Sequence, residues 1–157
     1  MKYIRLTKEQ LEELHPEFIN FLATQSIDKK EWDKIKSEQP HVAEQELDVF
    51  SDLIWEGVLN RAEYLEHFSK SHGFLFHCGE THIHSIVLQV LDESVDLLSN
   101  DGMQFLSENM FTDKIEIRTG KREYAEERNP SIFALIQQGA FLSDGRFYNE
   151  LKKIIES

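Results

Sequence analysis

The hydrophobic period of this chain changes near residue 70, and that change restricts its fold more than any other feature. Before it, apolar residues recur every three or four positions, as on the buried face of a helix. Leu11, Leu14, Phe18, Phe21 and Leu22 make one such stripe, and Ala43, Leu47, Phe50, Ile54 and Val58, widened by Leu53, make another. After it, residues 73–78 and 81–91 are rich in aromatic and β-branched side chains, the composition of strands. Residues 113–118 alternate polar with apolar, as a half-exposed strand does. The expected class is α+β: a helical N-terminal half packed with a small, mostly antiparallel sheet of three to four strands and C-terminal helices.

Local signals place the boundaries. Thr7 with Gln10 reads as a capping box, and Asp28 with Glu31 repeats the pattern at a second helix. His15-Pro16 either kinks the first helix or marks its true start, because proline lacks the amide donor. The longest helix follows Pro40. Asn60 to Glu63 reads as the cap of a short fourth helix carrying Tyr64, Leu65 and Phe68. Further helices are expected over residues 99–110 and, as a polar segment, over 121–128. Another opens at Asn129-Pro130 and stops at Gly139. A short strand at residues 140–142 precedes a last helix that buries Phe147, Leu151, Ile154 and Ile155. Three prolines, seven glycines and no internal repeat leave no room for a linker, so residues 1–157 are expected to form a single domain.

Charge narrows the partners. Twenty-nine acidic residues against seventeen basic ones give a net charge of −12, spread over both halves of the chain. Such a surface lacks the attraction to phosphate that dominates nucleic-acid binding, and it is repelled by anionic membranes. Neither nucleic acid nor membrane is an expected partner; a protein is. The opening residues lack the apolar core of a signal peptide, and no apolar run reaches the ~20 residues that span a bilayer. With one cysteine, Cys78, no internal disulfide can form. A cytoplasmic location is the expectation.

Chemistry concentrates in one place. His67, His72, His77, His82 and His84 are five of the seven histidines. A two-residue turn at Gly79-Glu80 would pair Cys78 with Thr81 and set His77 opposite His82. Facing residues project to one side, and residues two apart on a strand share a face. His77, His82 and His84 would then converge, with Cys78 on the other face. Three imidazoles can hold zinc and leave a fourth position for water, which the metal would activate for attack on a carbonyl or phosphoryl group. The pattern resembles the His-x-His plus neighbouring-strand His arrangement of carbonic anhydrases, a likeness confined to these residues. A register slip of one residue would part His77 from His82. Histidines merely exposed on a strand are the alternative.

Asp48, Asp52 and Glu56 recur every four residues on the longest helix, a row that offers a binding face to a basic partner or reads as a solvated surface. Cys78 lacks the basic surroundings of a nucleophile. Phosphate loops, nucleophile elbows and HExxH are not found. Residues 1–28, the stretch ELDVFSDLIWEGVL at 46–59 with YLEHFS at 64–69, and IFALIQQGA at 132–140 resemble a small bacterial family of unknown function. That resemblance implies a self-standing domain and brings no activity with it. The sequence therefore points to a non-catalytic protein-interaction or regulatory domain with no cofactor. Its rival is a zinc-type hydrolytic enzyme or metal sensor built on the three histidines.

Overall fold

The capping box at Thr7 forms as its residues predict. The Thr7 hydroxyl accepts the Gln10 amide at 3.2 Å, and the Gln10 side chain accepts the Thr7 amide at 2.9 Å. In the computed structural model, which describes all residues from Met1 to Ser157, helix α1 then runs Lys8–Glu13. Pro16 divides the predicted first helix in two: α2 is a new helix, His15–Thr24, with proline in its first turn, where a missing amide leaves no bond unmade. Helix α3, Lys29–Glu38, opens on Asp28, which accepts the Glu31 amide at 2.8 Å. Helix α4 is the longest, Pro40–Arg61.

The chain gathers into two compact units, Met1–Asn60 and Arg61–Ser157. The first has a core of Leu6, Phe18, Leu22, Trp32, Ala43 and Phe50. The Phe18 ring meets Trp32 and Phe50 edge-on, at centroid distances of 5.2 and 5.1 Å. Edge-to-face contacts of this kind add about 0.5–1.5 kcal/mol each beyond the area they bury. Leu53, expected to widen the inward face of α4, is 59% exposed.

The second unit holds a fully antiparallel sheet of five strands in the order β4-β3-β2-β1-β5, one more than the largest number expected. Strand β1 is Tyr64–Phe68, where a short helix was predicted. Five residues cannot separate the two periods by pattern alone. Pairing decides, because Tyr64 to Phe68 bond in register along His77 to Gly73 of β2, His72–Cys78. Strand β3 is His82–Val90, and β4 is Ile115–Glu123. The β3–β4 pairing runs unbroken from Val90↔Ile115 to His82↔Glu123, and it replaces the polar helix predicted from Lys121. Helix α5 is Asn100–Glu108, capped by Ser99. Helix α6, Arg128–Gln137, begins with Glu127 as N-cap, two residues before the expected Asn129. Strand β5, Phe141–Ser143, pairs with β1, and helix α7, Arg146–Glu156, closes the chain.

One sheet face carries Leu75, Ile86, Leu88 and Val90, which pack with Leu106 of α5 and with Tyr148 and Leu151 of α7. Full burial of each leucine contributes about 1.5–3 kcal/mol. On α7 the buried line is Tyr148 and Leu151; Ile154 and Ile155, expected inside, are 52% and 38% exposed. No helix is long and apolar enough to cross a membrane.

Candidate functional site: the histidine end of the sheet

Hairpin β2–β3 turns later than its glycine suggests. The last facing pair is Cys78↔Ile83, and His77 faces His84 rather than His82. Residues 79–82 make the connection, closed by the Gly79 amide donating to the His82 carbonyl at 2.9 Å. A Cβ on residue 79 would come within 2.9 Å of that carbonyl oxygen, so glycine here serves close approach. The Gly79 carbonyl is held from outside the hairpin. It accepts the Tyr124 hydroxyl at 2.8 Å and Arg128 Nε at 3.1 Å. The Arg128 guanidinium also donates to the carbonyls of Ala62 and Cys78, which ties the turn to the start of β1.

The shift is two residues, an even number, so the face assignment survives the wrong register. His77, His82 and His84 lie on one face, the one that continues the core of Leu75, Ile86 and Leu88. His77 and His84 stack with ring centroids 6.0 Å apart. His77 also stacks on Tyr64 at 4.7 Å and meets Tyr148 of α7 at 5.7 Å. His82 is drawn aside. Its Nδ1 lies 2.8 Å from the Thr81 hydroxyl and its Nε2 lies 3.6 Å from the Glu123 carboxylate. As placed, no three histidine, cysteine, aspartate or glutamate side chains in the chain gather closely enough to hold a metal ion.

Two lysines, Lys121 and Lys152, act on this cluster. Lys121 is the cross-strand partner of His84 on β4. Burial lowers the His84 pKa below its ordinary 6.5, and the charges of Lys121, His77, Lys152 and His82 lower it further. Tyr64, Lys121, Tyr148 and Lys152 thus belong to the site, and sequence reasoning missed all four. Tyr64 and Lys121 lay in segments read as helix, and nothing in α7's own pattern tells that Lys152 ends beside a strand.

The acidic row on α4 is engaged within its own unit. Asp52 accepts the backbone amides of Lys2 and Tyr3 at 2.7 and 2.9 Å, and Glu56 accepts the Tyr3 hydroxyl at 2.6 Å. Asp48 binds Arg5 Nε at 2.6 Å, which holds its carboxyl below the usual range. The three carboxylates fasten the segment Lys2–Leu6 along the helix, and Leu6 reaches the core beside them. Cys78 is buried on the sheet face opposite the histidines, and burial pushes its thiol up to about 11. Such a thiol stays protonated and is a poor nucleophile.

A second feature lies at the sheet's margin. Strand β4 pairs only with β3, and it is exposed from Arg118 to Glu123. Between its end and α6 opens a groove of about 410 Å³, with Ile83, Pro130, Ala134 and Leu135 among its lining and Arg122 and Tyr124 at its side.

No curated protein and no solved structure matches the chain. A family model does match, over residues 1–156. The chain belongs to that family, described as a family of unknown function (DUF6495), which spans both the helical unit and the sheet with its histidine end.

Proposed function

We propose that this protein is a non-catalytic, cytoplasmic protein-interaction or regulatory module that takes its partner on the open edge of β4. The observation that carries this reading is the exposed stretch from Arg118 to Glu123 on a strand with one free side. Such an edge offers a row of backbone groups to an extended segment, and strand addition is a common mode of recognition. The stretch carries Arg118, Lys121 and Arg122 against Glu123 alone, in a chain whose net charge is −12. Basic side chains there repel a second copy of the same strand and attract an acidic one. The partner segment is therefore extended and acidic, with an apolar side chain for the groove beside α6.

A photoreactive benzophenone side chain at Thr119 tests this in cells. The expected result is one reproducible crosslinked protein whose captured peptide is acidic, lost in the R118E/R122E variant. Equal capture of the same protein from Lys30 of α3, or capture indifferent to R118E/R122E, overturns the reading.

A second reading, a metal-dependent hydrolase or metal sensor, is favoured by the shared face of His77, His82 and His84. Zinc binds imidazole nitrogen at about 2.0–2.1 Å, so His82 would have to leave Thr81 and Glu123 to join the other two. Elemental analysis of untagged protein decides it. Stoichiometric zinc that disappears in H82A/H84A establishes this reading, and metal-free protein with unchanged stability in chelator removes it.

A further inference from the structure

We infer that His77, His84, Lys121 and Lys152 form a binding site for a phosphate-class oxyanion at the histidine end of the sheet. The inference shares Lys121 with the β4 edge but does not require a strand to be added there. It starts from the pairing of His77 with His84 across β2 and β3 and of His84 with Lys121 across β3 and β4, which sets the three side chains in a row on one face. Lys152 joins them from α7. It stands one helical turn after Tyr148, whose ring meets His77 at 5.7 Å, and residues four apart share a helix face. Beneath the row, Tyr64 stacks on His77, and its hydroxyl lies 3.2 Å from the Asn149 amide nitrogen.

Two observations point to an anion. First, the ring nitrogens of His77 and His84 bond to no protein group, whereas His72 and His82 each have a hydroxyl partner. Second, no carboxylate is ion-paired with His77, His84, Lys121 or Lys152: Glu123 faces His82, Glu66 lies opposite Leu75, and Glu156 stands one turn beyond Lys152, towards Tyr148. Burial is the first cause of the lowered His84 pKa, and the charges of Lys121, His77, Lys152 and His82 that lower it further make a local positive field, opposite in sign to the chain as a whole. That field opposes a divalent cation and favours an anion. Two ammonium groups and two imidazole N–H donors suit the several oxygens and double charge of a phosphate better than a single carboxylate. The phosphate is either free or the phosphoryl group of an organic monoester.

The test follows the imidazole signals of the full chain by NMR at neutral pH and constant ionic strength, with inorganic phosphate, glycerol 2-phosphate and chloride as probes. The expected result is saturable movement of the His77 and His84 signals with a phosphate probe and none with chloride. Tighter binding of inorganic phosphate identifies the free ion as ligand, and tighter binding of the monoester identifies a phosphoryl group on a larger molecule. Removing both ammonium groups in K121Q/K152Q, two exposed positions, is expected to weaken binding by about tenfold or more, and each single variant by less. Chloride shifts equal to those of phosphate, or unchanged phosphate affinity in K121Q/K152Q with an unaltered amide spectrum, overturn the inference.

Discussion

His84 shows how one side chain reports its neighbours. Burial lowers its pKa most, and the charges of Lys121 on β4, His77 on β2, Lys152 on α7 and His82 on its own strand add to that effect. Its folded pKa lies below 6.5, so the unfolded chain binds this proton more readily than the folded one. The contribution of His84 to stability is then complete above the unfolded pKa. It is lost as pH falls below that value, and it stops changing below the folded pKa. Unfolding midpoints compared from about pH 7.5 to about pH 5.5 should fall more steeply in the unsubstituted protein than in H84Q. Equal slopes would mean that neither burial nor the neighbouring charges disfavour the protonated ring. The carboxylates of α4 teach the same lesson in reverse. A row that reads as a free acidic surface is occupied by Lys2, Tyr3 and Arg5 of its own chain.

At the scale of an element, the start of α5 reverses a rule of helix propensity. Gly102 sits in its first turn, where its amide donates to the Ser99 hydroxyl at 3.0 Å. Replacing glycine by alanine in a helix ordinarily gains about 1 kcal/mol. Here a Cβ would stand 1.7 Å from the Asp96 carbonyl oxygen and 3.0 Å from the Leu97 amide nitrogen, both backbone atoms. The turn over Asp96 to Ser99 must shift to admit a methyl group. Denaturant unfolding of G102A should show a loss of about 2 kcal/mol or more. A variant as stable as the original protein would show that this turn moves freely. The β2–β3 hairpin makes a related point. Glycine promised a two-residue turn, but Tyr124 and Arg128 hold the Gly79 carbonyl in a longer one.

For the molecule as a whole, a net charge of −12 is the dominant physical fact. Like charges on a folded surface repel, and salt screens them over about 10 Å at moderate ionic strength. Ion pairs between residues distant in sequence, such as Arg5–Asp48, are few and exposed, and pairs of that kind contribute little. Raising sodium chloride from low to physiological concentration should therefore raise the thermal midpoint, by about 2–4 °C. A midpoint that falls would mean that the ion pairs outweigh the net repulsion.

Periodicity and caps determined much of this protein. The α+β class, the capped starts of α1 and α3, the division at Pro16, the long helix after Pro40 and the strands around the histidines all follow from local chemistry. Side-chain alternation also put His77, His82 and His84 on one face, and an even shift of register left that intact. Tertiary structure decided what local pattern leaves open. Residues 64–68 match both periods, and only pairing with β2 makes them a strand. Residues 119–123 carry no alternation strong enough to extend β4, and only the length of β3 draws them into the sheet. The lysines beside His84 arrive from a distant strand and helix, and contacts so far apart in sequence leave no mark on local composition.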